Sequence, residues 1–179
     1  QQKANQTYNM SPKESMNVAQ KLYESGLITY MRTESNKFSK EFCVNLKTLI
    51  EIRFGDKYVG NLEKISDESK TPHEGIRVTD LYYDIKNESF TSKEKNIYEM
   101  IKKQTIQSGM SESKYLSMNV FVSAPEEKKY MYNSKKIIFD GWKILEKTSD
   151  KESFNDFFRL IKTNTEIKYN KIISEEIET

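Results

Sequence analysis

SPKESMNVAQKLYESGLITYMRTES, residues 11–35, joins a well-punctuated helix to a segment holding a tyrosine and an arginine two residues apart. Ser11 followed by Glu14 is a capping box, Pro12 falls at the first helical position, and Gly26 suits a helix stop. Met16, Ala19, Leu22 and Tyr23 supply an apolar stripe at helical spacing. On another face Gln20 and Glu24 sit four apart, as helical neighbours. Tyr30 follows Gly26 so closely that almost no slack separates it from the helix. If residues 26–35 are extended, Ile28, Tyr30 and Arg32 point one way while Thr29, Met31 and Thr33 point the other. A phenol would then lie beside a guanidinium.

Further along, SKEFCVNLKTLIEIRFG (39–55) predicts a second helix, with Phe42, Leu46, Leu49 and Ile50 facing a core and Gly55 as its stop. Residues 60–90 are less periodic, and 67–80 read as loop around Pro72 and Gly75. A third helix covers 91–109, with a capping box at Thr91 and Glu94 and a stop at Gly109. Beyond Gly109 the pattern changes: YLSMNVFV (115–122), KYMYNSKKIIF (129–139) and EIKYNKIISEEI (166–177) are rich in β-branched and aromatic residues, as strands are. DGW (140–142) reads as a tight turn, and 149–162 as room for a short helix. The expected class is α+β, with a mainly helical part over 1–107 and a β-rich part over 108–179.

With 179 residues the chain suits one ordinary domain or two small ones. Its 29 basic and 27 acidic residues leave +2, which excludes a histone-like field but permits a local basic site. Through Arg53 there are 8 Lys/Arg against 5 Asp/Glu, a net of +3. Cys43 is the single cysteine, which excludes an intramolecular disulfide and a cysteine metal cluster and suits a reducing, cytoplasmic setting. The sequence holds neither an apolar run of membrane-spanning length nor a signal-peptide pattern, so a soluble protein is expected. A start at Gln1 rather than Met suggests a piece of something longer.

Tyr30 is one of 11 tyrosines, and most tyrosines are packing residues whose hydroxyl finds a convenient partner. A phenol attacking at neutral pH needs a base or a nearby cation, since its ordinary pKa is ~10; Arg32 is permanently charged and shaped for phosphate. His73, the sole histidine, stands in PHEGIRVTD (72–80) with Glu74 and Arg77. A lone histidine in a polar loop is usually solvated, and without His or Cys neighbours a zinc site is not indicated. Beside Arg77 it would serve as a phosphate donor.

Residues 1–35 followed by PHEGIRVTD resemble the heart of the type IA DNA topoisomerases, in which a helix reading roughly AQxLYExGxITYMRTDS carries the nucleophilic tyrosine and an HEAIRPT-like segment lines the same site. IYEMIKKQTIQSGMSESKYLSMNV and IIFDGWKIL resemble the part of the family leading back to its β-rich arch. The resemblance implies an enzyme that cuts one DNA strand through a 5′-phosphotyrosyl link, passes another strand through the gap and reseals it. Residue by residue it makes Tyr30 the nucleophile and Arg32 the cation on the scissile phosphate. Gln20, Glu24, Thr29 and Thr33 fall on supporting positions, and His73 and Arg77 on phosphate or DNA contacts. It implies a helix-turn-helix, winged-helix character for the helical part, DNA (chiefly single-stranded) as the partner, and neither a membrane nor a small-molecule substrate. Magnesium is implied for the whole enzyme, held by an acidic domain that this chain lacks, so that the piece alone would be inactive and has no metal ligands of its own. Glu34 replaces the usual Asp, a change expected to shift a salt bridge, while Gly75 and Val78 replace the usual Ala and Pro and would loosen the second loop. The alternative is a non-catalytic winged-helix-like DNA-binding module that merely keeps the motif.

Overall fold

Ser11 accepts a hydrogen bond from the Glu14 amide at 3.2 Å, and Pro12 opens the helix behind it. The computed structural model describes residues 1–67, 73–87, 89–125, 127–146 and 166. In this numbering α1 is Gln2–Tyr8, α2 Pro12–Glu24, α3 Lys40–Phe54 and α4 Ser92–Ser108. Helix α1 was not expected from the sequence: it is one short stretch without a side-chain cap, and Asn9 closes it in the left-handed conformation at φ 52°. Helices α2 and α4 start where the caps at Ser11 and Thr91 predicted, and α3 starts within its expected span. Ser39 accepts from Phe42 N at the head of α3, and Thr91 with Glu94 forms the full reciprocal box on α4. Ser11 and Glu14 supply only half of such a box, because the Glu14 carboxylate turns outward to Lys93.

Leu22 of α2, Leu46, Leu49 and Ile50 of α3, and Ile97 and Tyr98 of α4 are all buried in one cluster that also takes in Ile28 and Val78. Each such side chain contributes about 1.5–3 kcal/mol on leaving water. The ion pairs between α2 and α4, Lys21–Glu94 at 3.5 Å and Glu14–Lys93, lie at the rim, where solvent screens them. Burial holds these helices together, and the pairs set only their register.

Between α2 and α3, the strand β1 (Phe38–Ser39) pairs in parallel with β2 (Ser66–Asp67), Phe38 opposite Ser66. β3 (Lys114–Ser123) and β4 (Lys129–Phe139) pair with each other. Their short connection, closed by Ala124 N to Lys128 O at 2.9 Å, makes the pair an antiparallel hairpin, since parallel strands need a long crossover. The DGW turn runs on as a 3₁₀ helix, Gly141–Leu145. The class is therefore α+β. The strand expected over 166–177 and the helix over 149–162 lie outside the described residues, residue 166 excepted.

The chain divides into two compact units, residues 1–114 with 137–147, and residues 115–136 with 148–179. In the first, Trp142 N bonds Ser111 O at 2.9 Å, and Tyr58 and Phe139 stack at 4.9 Å, so the returning segment is sewn to the helices. In the second, the described part is mainly the hairpin over 115–136, with Phe121 and Met131 largely exposed. No helix among the described residues is long and apolar enough to cross a membrane.

Candidate active site around Tyr30

Gly26, at φ 74°, turns the chain out of α2, and Leu27 N returns to Leu22 O at 2.9 Å. Ile28 then forms an antiparallel bridge with Val78, both fully buried, so the tyrosine segment lies along the His73 loop. Thr29 N bonds Arg77 O at 2.9 Å, and Thr79 N bonds Leu27 O at 3.0 Å. The Thr29 hydroxyl donates to Gly75 O at 2.8 Å and accepts from Arg77 N at 2.9 Å. Two stretches nearly fifty residues apart are thus fastened through one side chain.

The strict alternation expected for 28–33 does not hold. Ile28 and Met31 both enter the core, at 1% and 5% exposure, while Tyr30 is half-buried and Arg32 exposed. The chain bends at Met31–Arg32, because it leaves its single bridge to Val78 and has no ladder to keep it straight. Just beyond, Thr33 accepts from Ser35 N at 3.1 Å, a local turn.

Tyr30's ring sits between two others. His73 lies tilted against it with centroids 4.9 Å apart, and Tyr23 meets it edge-on at 5.3 Å. Sequence placed Tyr23 in the apolar stripe of α2, yet it is 40% exposed and stands at the site instead. Its position in the last turn, just ahead of Gly26, was the only available signal. Among the described residues none hydrogen-bonds the Tyr30 hydroxyl or pairs with the Arg32 guanidinium. Gln20 donates to Glu24 at 2.8 Å, a pair satisfied within α2.

Arg77 is committed inward. Its Nε donates to Glu74 Oε2 at 2.6 Å, its Nη1 to Val78 O at 3.0 Å, and its guanidinium lies 3.8 Å from the centre of the Phe42 ring. Burial raises the Glu74 carboxyl, but the Arg77 hydrogen bond and charge, with donors from Ser39, outweigh it and hold the group below its ordinary value. Ser39 caps α3, so the loop is pinned to a helix start. Gly75 does not loosen the loop as its sequence suggested: its N–H bonds Lys37 O at 2.7 Å, and a Cβ there would stand 3.1 Å from Phe38 Cε1. Cys43 lies in the same cluster, and burial pushes its thiol up, as befits a packing residue rather than a nucleophile. The described residues hold no group of three His, Cys, Asp or Glu side chains placed to hold a metal ion.

Among the described residues the Tyr30 hydroxyl has no hydrogen-bond partner, its ring lies against His73 and Tyr23, and exposed Arg32 follows two residues on. The family described as DNA topoisomerase matches residues 1–179, and the chain belongs to that family. It is 33% identical over 177 residues to "DNA topoisomerase 1" of Buchnera aphidicola (subsp. Acyrthosiphon pisum), covering 96% of this chain and 20% of that protein. It is 32% identical over 179 residues to "DNA topoisomerase 1" of Aquifex aeolicus, covering 93% and 33%. The solved full-length topoisomerase I of Thermotoga maritima superposes with a TM-score of 0.71 at 31% identity, over 83% of this chain and 26% of that one. The chain thus spans a fifth to a third of the length of these relatives.

Proposed function

We propose that this chain is the tyrosine-bearing part of a type IA DNA topoisomerase. The Tyr30 oxygen attacks the phosphorus of a single-stranded segment, its proton leaves, and the O3′–P bond breaks as the departing oxygen takes up a proton. The products are a 5′-phosphotyrosyl link and a free 3′-hydroxyl. The reverse attack by that hydroxyl reseals the strand after another has passed. Arg32 grips the non-bridging oxygens as charge develops on them. His73, held against the Tyr30 ring, orients the phenol and is placed to donate to the same phosphate. Arg77, Glu74 and Thr29 keep the loop in place; the Arg77 guanidinium acts through positioning rather than by touching DNA. Gln20, Glu24 and Thr33 shape the rim. Magnesium, in this reading, would be held by an acidic domain of the full-length enzyme and would supply charge neutralisation at the scissile phosphate.

The observation that carries the proposal is the Tyr30 hydroxyl, without a hydrogen-bond partner among the described residues, on a segment whose Ile28 and Thr29 are fastened to the 75–79 stretch. Tyr30→Phe in the full-length parent keeps the ring and its two aromatic contacts and removes only the oxygen. DNA binding persists and relaxation vanishes. In the unaltered protein, denaturing a cleavage reaction and digesting it places the nucleotide on the Tyr30 peptide by mass spectrometry. An adduct on another tyrosine, or relaxation by the Phe variant, overturns the proposal.

A further inference from the structure

A cavity of about 380 Å³ opens between α3, α4 and the 82–86 segment and shares no residue with the Tyr30 cluster. Arg53, Lys86, Lys102 and Lys103 line it, against two carboxylates, Asp84 and Glu99. Opposite charges therefore share one wall, yet among the described residues none of these four cations is in an ion pair. Lys102 instead donates to the Tyr83 carbonyl at 2.6 Å, which fixes its ammonium at the edge of the cavity. Burial, with the charge of Arg53 adding to it, lowers the Lys102 pKa in spite of the nearby carboxylates. At the mouth stands Tyr82, 60% exposed, its backbone held by Tyr82 N to Asp80 Oδ1 at 2.8 Å, while Ile106 and Leu145 make an apolar floor.

We propose that this cavity is a second nucleic-acid contact, taking a phosphodiester of a single strand between Arg53, Lys102 and Lys103 with a base stacked on Tyr82. The chemistry fits both halves of that ligand. Unpaired cations around a concavity suit phosphate oxygens, and an exposed, backbone-anchored phenol offers a face to any base, which makes the site indifferent to sequence. A free anion would use the cations alone. The nucleic-acid identity of the ligand rests on the DNA reading of the Tyr30 site; the cavity and its cations do not.

The test uses the 179-residue chain and a fluorescent oligothymidylate, with affinity read by anisotropy over a salt series. Arg53→Gln with Lys103→Gln removes two charges that make no internal bond among the described residues, so the fold stays intact, which a thermal melt verifies. The expected result is a loss of roughly tenfold in affinity and a salt slope lower by about 1.4, the share of two phosphates on a single strand. Tyr82→Ala loses roughly tenfold with the slope unchanged. Arg32→Gln is the separate arm for the Tyr30 site. If it weakens binding while the Arg53/Lys103 variant binds with unchanged affinity and slope, the cavity assignment falls and the Tyr30 reading stands. If the Arg53/Lys103 variant is impaired while Tyr82→Ala and competition by inorganic phosphate show the cations alone at work, the stacking half falls. An unaltered chain that binds no oligothymidylate in dilute buffer overturns both.

Discussion

Thr29→Val removes one oxygen and keeps the shape, and so isolates the bolt between the two motif segments. Two hydrogen bonds go with it, to Gly75 O at 2.8 Å and from Arg77 N at 2.9 Å. Each contributes about 1 kcal/mol net, and the variant leaves a carbonyl and an amide unpaired at a half-buried place. A loss of about 2–3 kcal/mol follows, which in a chain of this size lowers Tm by roughly 4–12 °C. Thr29→Ser is the control: it keeps both bonds and gives up one methyl, a loss of about 0.8 kcal/mol. Thermal denaturation gives the magnitude. Amide exchange gives the place, because Arg77 N–H, bonded to the Thr29 hydroxyl, exchanges faster in the Val variant while the amides of α3 keep their protection. A Val variant within 0.5 kcal/mol of the parent, or one with slow Arg77 exchange, would refute the claim that this hydroxyl fastens the loop.

Glu74 titrates below its ordinary value of 4.5, so its contribution is fully present above that value and is lost as pH falls through the lower, folded-state one. Glu74→Gln should therefore melt below the parent at pH 7, and the gap should close on acidification; a gap constant down to pH 3 contradicts the pairing with Arg77. His73→Ala in the full-length protein should slow strand cleavage by roughly 10- to 100-fold while Tm moves by about 1 °C or less, since the imidazole is exposed and, among the described residues, its ring contact is with Tyr30. A large drop in Tm with cleavage intact would make His73 a structural residue.

Local chemistry explains what could be read from the chain alone. The start of α2, α3 and α4 follows from Ser11, Ser39 and Thr91, each of which offers its hydroxyl to an amide three residues on. The hairpin follows from β-branched and aromatic composition on either side of a short turn. Tyr30, Arg32 and His73 could be singled out because their motifs resemble those of a known family, whereas composition left each of them ordinary. Helix α1 escaped because seven residues with no capping side chain carry no local signal.

Long-range packing decided the rest. A sequence can show that Thr29 bears a hydroxyl, but not that Gly75 and Arg77 receive it, because that pairing needs the Ile28–Val78 bridge, which joins residues fifty apart. Arg77 looked like a free cation for DNA and is drawn inward by Glu74 and Phe42, partners whose nearness depends on how α3 meets the loop. Tyr23 had the spacing of a core residue and turns to Tyr30 because Gly26 folds the chain back beside the last turn of α2. Gly75 looked slack and is confined, since Phe38 fills the space where a side chain would go. Caps, periods and stops act over three or four residues, so the sequence alone determines them. A site made by pressing two distant segments together exists only once the core has closed around Ile28 and Val78.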